Sequence, residues 1–418
     1  MQIQTTDQIT TIKTEKFKTT LIKVSFKGLL ARKTVTERIL LANVLRNSSK
    51  DFESKKALSA HLEELYGASL SVSAKKQGKA HTISFYIQMA NEKFLKSPPP
   101  LFACALKLLA SVILKPRIQD DQFDKEVVML EKRLLKEDIE SIYDDKTSYA
   151  LKKMVATMCV SENFGVNGDG YASDLADITE RTLVDAYRSM LDEDELRITI
   201  LGDADHMETV NLINQHLNTR NNRRGHVESV DHEEKEIAAI TTLKETQLVS
   251  QTKLNIGYRT HTRITDEDYF ALLVVNGVFG AYAHSKLFMN VREKESLCYY
   301  CTSQLDNFKG LMYVYSGLDA VQVPKAIKII DEQLKDVMLG NFTEQELSLA
   351  KKSLTNAKRE SLDAASGMLS DLEMGLLLGL TADEFISKIE AVTKADIERV
   401  AAKIEKDTVF TLEPEVAE

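Results

Sequence analysis

Residues 19–27 (TTLIKVSFK) alternate apolar and polar side chains and predict a strand. From 35 to 47 the apolar residues Val35, Ile39, Leu40, Val44 and Leu45 recur at helical spacing. A second helix is expected over 53–66, closed by Gly67, with strands at 68–74 and 80–89. The run Ser97-Pro98-Pro99-Pro100 marks a break, because proline lacks the N–H that helices and central strands use. Helical patterns fill 101–115 and 121–159, followed by a helix at 179–191 and a strand at 195–201. The polar, charge-rich tract at 220–236 (RNNRRGHVESVDHEEKE) reads as a linker. Beyond it the order recurs. A strand is predicted at 254–258, helices at 269–279 and 285–294, strands near 297–304 and 311–316, helices at 323–338, 343–378 and 393–404, and a strand at 408–412.

The two halves echo one another in sequence. Ile178-Thr179, Leu183, Ala186 and Asp194 parallel Val392-Thr393, Ile397, Val400 and Asp407, at offsets of 214 and 213. Leu40-Leu41 parallels Leu272-Leu273 at 232, and Ser54-Lys55 parallels Ser285-Lys286 at 231. The common order points to two homologous α+β domains, expected at 1–220 and 241–418 around a charged linker at 221–240.

Composition narrows the class. A chain of 418 residues has room for two to three domains at about 150 residues each. With 43% hydrophobic and 28% charged residues it reads as an ordinary globular protein. The net charge of −9, with no basic tail, argues against nucleic acid or an anionic membrane as partner. Four cysteines are too few for a disulfide framework. No basic-then-apolar leader opens the chain, and the most apolar stretch, 101–114, is interrupted by Lys107. The expected compartment is the cytoplasm.

The segment 280–300 (GAYAHSKLFMNVREKESLCYY) concentrates the candidate chemistry. Arg292 and Tyr299 lie seven apart across a helix-to-strand turn, where a guanidinium and a phenol can converge. Two such donors suit a peptide carbonyl or a developing oxyanion. Spacing alone also fits, more economically, a surface Arg–Glu face and a core tyrosine.

The stretch SKLFMNVREKESLCYY resembles the signature S-x-L-F-x-x-x-R-E-x-x-x-L-x-Y of the insulinase-type M16 zinc peptidases. So do ITERTLVDAYRSMLDEDELRITILGDAD at 178–205 and FTEQELSLAKKSL at 342–354. The chain is most similar to the short bacterial M16B type. That resemblance implies two metalloenzyme LuxS/M16-like domains, each a mostly antiparallel sheet with helices packed on one face. It also implies subunits that pair into a clam-shell around a peptide chamber.

The family's metal motif is H-x-x-E-H on the first helix, with a glutamate some 75 residues later as third ligand. Two histidines four apart on one helical face reach a zinc ion, and the glutamate between them activates a bound water. No H-x-x-E-H occurs in this chain. Alignment through the helix at 35–47 sets Ile39, Ala42 and Asn43 where the family has His, Glu and His. Ile39 and Ala42 offer no ligand atom, and Asn43 is a weak neutral donor for zinc. His61-Leu62-Glu63-Glu64-Leu65 imitates the motif, but Tyr66-Gly67 and a strand follow at once, which places it on the second helix. For the third ligand, Glu126, Glu131, Glu137 and Glu140 share one helix, and none is singled out.

The resemblance therefore implies a non-catalytic subunit, with no cofactor of its own. Paired with a zinc-bearing M16B paralogue, it would supply Arg292 to a substrate carbonyl and Tyr299 to the oxyanion. Tyr300 is the alternative if the strand register differs by one. Two other readings stay open. One is a scaffold or peptide-binding protein, which could also self-associate into the clam-shell. The other is a degenerate zinc metallopeptidase using His61, Glu64 and a carboxylate from 126–140.

The remaining motifs read as structural. Cys298-Tyr299-Tyr300-Cys301 is a lone C-x-x-C in strand-like sequence, without partners at zinc-finger spacing. His81, His206, His216, His226, His232, His261 and His284 show no paired ligand spacing. His226 and His232 are expected to be solvated in the linker. No phosphate loop and no G-x-S-x-G elbow occurs.

Overall fold

The computed structural model describes residues 2–217 and 225–415. Strands β1 (Gln2–Thr6), β2 (Ile9–Lys13) and β3 (Thr19–Leu29) precede helices α1 (Val35–Leu45) and α2 (Lys55–Glu64). Then come β4 (Ser69–Gln77), β5 (Ala80–Ala90), α3 (Leu101–Leu114), and a short hairpin of β6 (Ile118–Gln119) and β7 (Gln122–Phe123). Helices α4 (Lys125–Ser141), α5 (Lys146–Met158) and α6 (Glu180–Glu193), strand β8 (Glu195–Gly202) and helix α7 (His206–His216) follow. The second half holds β9 (Thr241–Gln247), β10 (Thr252–Arg259), α8 (Tyr269–Asn276), β11 (Cys298–Asp306) and β12 (Leu311–Leu318). Helices α9 (Val323–Met338), α10 (Glu344–Ser361), α11 (Ala365–Leu378), α12 (Ala382–Ala391) and α13 (Lys394–Ala401) lead to β13 (Glu405–Pro414).

The duplication read from sequence is visible in topology. The first sheet is ordered β1-β2-β8-β3-β5-β4 and the second β11-β12-β10-β13-β9. Apart from the extra β1, one order maps onto the other. Each sheet is antiparallel except at one place, β2 with β8 and β9 with β13. Even the capping repeats: Thr179 opens α6 and Thr393 opens α13, each in a reciprocal cap with the residue three on. The fold is α+β, as expected.

In the first unit, α1 and α3 lie on the sheet residues Ile22, Val24, Ile83, Phe85, Ile198 and Ile200. Helix α3 is apolar nearly all round because it is nearly all buried. One charge is buried with it. Arg38 on α1 reaches Asp194 at 2.7 and 3.2 Å and donates to the carbonyls of His81 and Phe26. His81 opposite Gly28 is fully buried, and burial, then the positive Arg38, pushes its ring down to about 3. It is therefore neutral at physiological pH.

Two long helical patterns are interrupted. The 121–159 pattern breaks at 142–145, where the Asp145 carboxylate accepts from Thr147 and Ser148 N–H and starts a new helix. The 343–378 pattern breaks at 362–364. The first break corrects the domain boundary. The compact units are Met1–Ser141 with Val166–Ser229, and Ile142–Gly165 with Val230–Glu418, so they are not the contiguous halves 1–220 and 241–418. Helix α5 puts Ala150, Met154 and Met158 on Leu311, Tyr313, Phe410 and Leu412. These alternate along β12 and β13 with Met312 and Val409, which face the other core. The second sheet thus carries helices on both faces, where helices on one face were expected.

The segment 142–165 is held by buried charge as well as apolar contact. Glu162 accepts from Arg259 at 2.6 and 2.8 Å and from Lys309 at 2.8 Å. Arg259 also meets Asp407 at 2.8 Å, and Lys309 meets Asp231 at 3.3 Å. All five side chains are almost wholly buried. Of the expected linker 221–240, residues 221–224 lie outside the described residues. The rest is fastened rather than free. Val227 N–H donates to Glu195 in the first unit, and Asp231 N–H donates to Phe308 O in the second. His226 is exposed, as expected, and lies 3.3 Å from Glu195. Among the described residues no helix is long and apolar enough to cross a membrane.

Burial pushes the Glu162 carboxyl up, but the hydrogen bonds from Arg259 and Lys309 outweigh it and hold it down at about 2. A carboxylate whose folded pKa lies below its unfolded value near 4.5 stabilises fully above that value, and the contribution fades as pH falls toward 2. Glu162→Ala is expected to cost roughly 3–5 kcal/mol at pH 7, because it removes the carboxylate that two buried cations share and leaves each with one acidic partner. Urea denaturation should show the wild-type advantage shrinking as pH falls from 5 to 2.

Candidate functional site

The candidate residues Arg292 and Tyr299 come together through two departures from regular structure. After α8 the chain takes a wide turn at Gly277–Ala281, and a second at Phe288–Lys294 replaces the regular helix expected over 285–294. Such i→i+5 turns are rare and recur at functional sites. The second turn stacks the Arg292 guanidinium on the Phe288 ring, 4.5 Å from its centroid. Strand β11 then opens with a bulge. Cys298 pairs with Leu318 and Tyr300 with Gly317, leaving Tyr299 as the extra residue. A bulge re-aims a side chain, and here it turns Tyr299 outward, 79% exposed. The Arg292 guanidinium sits 5.6 Å from the Tyr299 ring centroid, with Glu293 3.6 Å from its Nε. Two hydrogen-bond donors are thus presented side by side on an open surface.

Tyr300 takes a different place. Its ring lies over Gly317, where a β-carbon would come within 2.9 Å, and beside Tyr315 at 6.2 Å. Its hydroxyl is buried without a hydrogen-bond partner. Of the two register alternatives, Tyr299 is the tyrosine that joins Arg292. His284 stacks on Tyr282 with centroids 5.4 Å apart.

Phe288 is the neighbour that sequence reasoning missed. Its position four before Arg292, one helical turn away, was the available signal.

Helix α1 shows what stands at the metal-motif positions. Ile39 is half-buried beneath the loop at 166–174, where a β-carbon on Gly170 would lie 3.2 Å from Ile39 Cδ1. That loop is pinned by Tyr171 N–H to Thr36 Oγ1 at 3.0 Å, by Thr36 Oγ1–H to Asp174 at 2.7 Å, and by Arg32 to Asp174. Ala42 is buried and Asn43 half-buried. On α4, Glu126, Glu137 and Glu140 are exposed, and only Glu131 turns inward. It accepts from Asn47 Nδ2 at 2.9 Å and lies 3.5 Å from Arg46, while Asn47 also donates to Asn43 O. An amide and a guanidinium answer this carboxylate where a zinc site would need imidazoles, so the donor set does not fit zinc. His61 stacks on Phe52 and meets Glu64 at 3.2 Å, two donors without a third. Among the described residues no group of three His, Cys, Asp or Glu could hold a metal.

A family model described as the peptidase M16 inactive domain matches residues 177–354. The probable inactive metalloprotease YmfF of Bacillus subtilis is 37% identical over 403 residues, covering 96% of this chain and 94% of YmfF. The chain belongs to the M16 peptidase family. A conserved protein of Enterococcus faecalis has a crystal structure with TM-score 0.92 and 34% identity, over 98% of this chain and 97% of that one. The M16 inactive domain from Pseudomonas fluorescens shares the fold at TM-score 0.80 and 17% identity, covering 100% of this chain and 99% of that one. This protein is thus an inactive M16 metalloprotease homologue.

The contact between α1 and α4 in this M16 homologue makes a specific prediction. Asn47→Asp sets a second carboxylate against buried Glu131 and removes its best donor. A loss of roughly 1–3 kcal/mol is expected at pH 7, shrinking as pH falls through the carboxylate range and one of the pair protonates. Thermal unfolding at pH 7 and pH 4 checks both the size and the sign.

Proposed function

We propose that this M16 homologue is the non-catalytic member of a peptidase pair. Its partner is a zinc-bearing M16 relative with an intact H-x-x-E-H helix, and its substrate is a peptide. One observation supports the reading above the others: half-buried Arg292 and exposed Tyr299 stand together, while the metal positions hold Ile39, Ala42 and Asn43. A chain with no further part in hydrolysis would have little reason to set a wide turn and a bulge so that two donors meet. In this reading Arg292 donates to a substrate carbonyl next to the scissile bond. Tyr299 O–H donates to the oxygen that becomes negative as that carbonyl turns tetrahedral. A donor whose hydrogen bond strengthens as charge develops lowers the barrier, rather than only tightening binding. The protein works in the cytoplasm with no cofactor of its own, and the zinc belongs to the partner.

The test is reconstitution. The chain alone should bind no stoichiometric zinc and leave a quenched peptide uncut, and adding the purified zinc-bearing partner should create activity. Losing one oxyanion donor costs about 10²–10³ in kcat, so Tyr299→Phe should lower kcat by about that factor. Arg292→Ala should also raise KM. Unchanged kcat and KM in both variants would leave a scaffold or peptide-binding role in place of the trans contribution.

A further inference from the structure

The bulge that exposes Tyr299 does something else to strand β11. Along a regular strand, residues three apart point to opposite faces. Cys298 and Cys301 are three apart, yet Cys298 pairs with Leu318 and Cys301 with Ser316. Leu318 and Ser316 are two apart on β12 and share a face, so the inserted Tyr299 brings both cysteines onto that same face. Both pack on one core cluster, Cys301 fully buried and Cys298 half-buried. Same-face neighbours on a strand have α-carbons about 6.6 Å apart, two rises of about 3.3 Å. Disulfides span roughly 4.4–6.8 Å between α-carbons.

From this geometry we infer that Cys298 and Cys301 form an oxidisable dithiol, a modification site in which Cys298 is the attacking thiol and Cys301 the resolving one. The surroundings divide the roles. The hydrogen bond from Cys301 comes first in drawing the Cys298 thiol down to about 7, followed by Ser316 and the positive charge of Arg292. Cys301 is pushed the other way by the same partner and by burial, and keeps its proton. The remaining cysteines, Cys104 and Cys159, lie far from the pair in sequence, and burial pushes the Cys159 thiol well up.

The oxidant is a hydroperoxide. The Cys298 thiolate attacks the nearer peroxide oxygen, the O–O bond breaks, and the leaving hydroxide takes up a proton to become water. The resulting sulfenic acid is attacked by Cys301 sulfur. The S–O bond breaks, the Cys301 proton leaves with the hydroxyl as a second water, and the S–S bond forms. The balance is two thiols and one hydrogen peroxide to one disulfide and two waters. The closed ring contains Tyr299 and Tyr300, so oxidation pins the bulge that carries the exposed phenol. This inference is independent of any partner, and its test uses the isolated chain.

The reduced protein is treated with hydrogen peroxide, quenched with catalase, unfolded in guanidinium chloride and alkylated with N-ethylmaleimide. Of the four free cysteines, two should become unreactive, with a mass loss of about 2 Da before labelling. Peptide mapping should link Cys298 to Cys301, and dithiothreitol should restore both thiols. Cys301→Ser should stop at a sulfenic acid that dimedone traps on Cys298, and Cys298→Ser should leave Cys301 open to alkylation. With a thiol at about 7, the oxidation rate should rise about tenfold from pH 6 to pH 8, against nearly 80-fold for an ordinary cysteine near 8.5. Circular dichroism confirms that each variant folds. If one does not, the wild-type peptide map and pH ratio decide alone. Four persistently alkylatable thiols, a link through Cys104 or Cys159, or Cys298→Ser oxidising as fast as wild type would each overturn the dithiol.

Discussion

The second unit is organised around one buried constraint: Arg259, Lys309, Glu162, Asp407 and Asp231 have left water and answer one another. Each ion lost several kcal/mol of hydration on burial, so the cluster tolerates no vacancy. Its members come from five separate stretches of chain: the segment after α5, the end of β10, the turn before β12, the start of β13, and the tract at Asp231. Meeting all the charges at once requires all these stretches to be in place. Apolar contact between α5 and the sheet supplies area, but area tolerates sliding. The directional bonds of Arg259 to Glu162 and Asp407 set the register.

The first unit resolves its buried polarity in another way. Arg38 is neutralised by Asp194, and Glu131 is answered by Asn47 and Arg46. A zinc-binding helix must instead hold its donors in reserve, aimed at a cation and unsatisfied without it. Here Thr36 and Arg38 on α1 already have protein partners, and the Ile39 position is closed over by the loop at Gly170. The helix has kept its packing and lost the poised state that hydrolysis requires.

The second unit keeps irregularity where it is useful. The two wide turns and the bulge lie within one stretch between α8 and β11. Regular structure would have sent Tyr299 and Arg292 to unrelated directions and separated the two cysteine thiols. A single extra residue in one strand accounts for both the exposed phenol and the adjacent sulfurs, so the surface and the core beneath it are coupled.

Much of this was legible along the chain. The strand at 19–27, the helix stripe at 35–47, the repeated order of elements and the paired caps at Thr179 and Thr393 depend on local periodicity and local hydrogen bonding. So does the absence of an H-x-x-E-H, and the spacing of Arg292 and Tyr299 marked two side chains that the fold does set 5.6 Å apart. What the chain alone left open was the choice among partners. The apolar stripe of α5 announces a helix without naming the sheet it covers. Four glutamates on α4 look alike until the fold turns Glu131 inward, and strand periodicity puts Cys298 and Cys301 on opposite faces until a bulge intervenes. Side-chain period is a property of a few neighbouring residues. Which face meets which, and where the ladder admits an extra residue, is decided by segments distant in sequence that must satisfy one another's area and charge together.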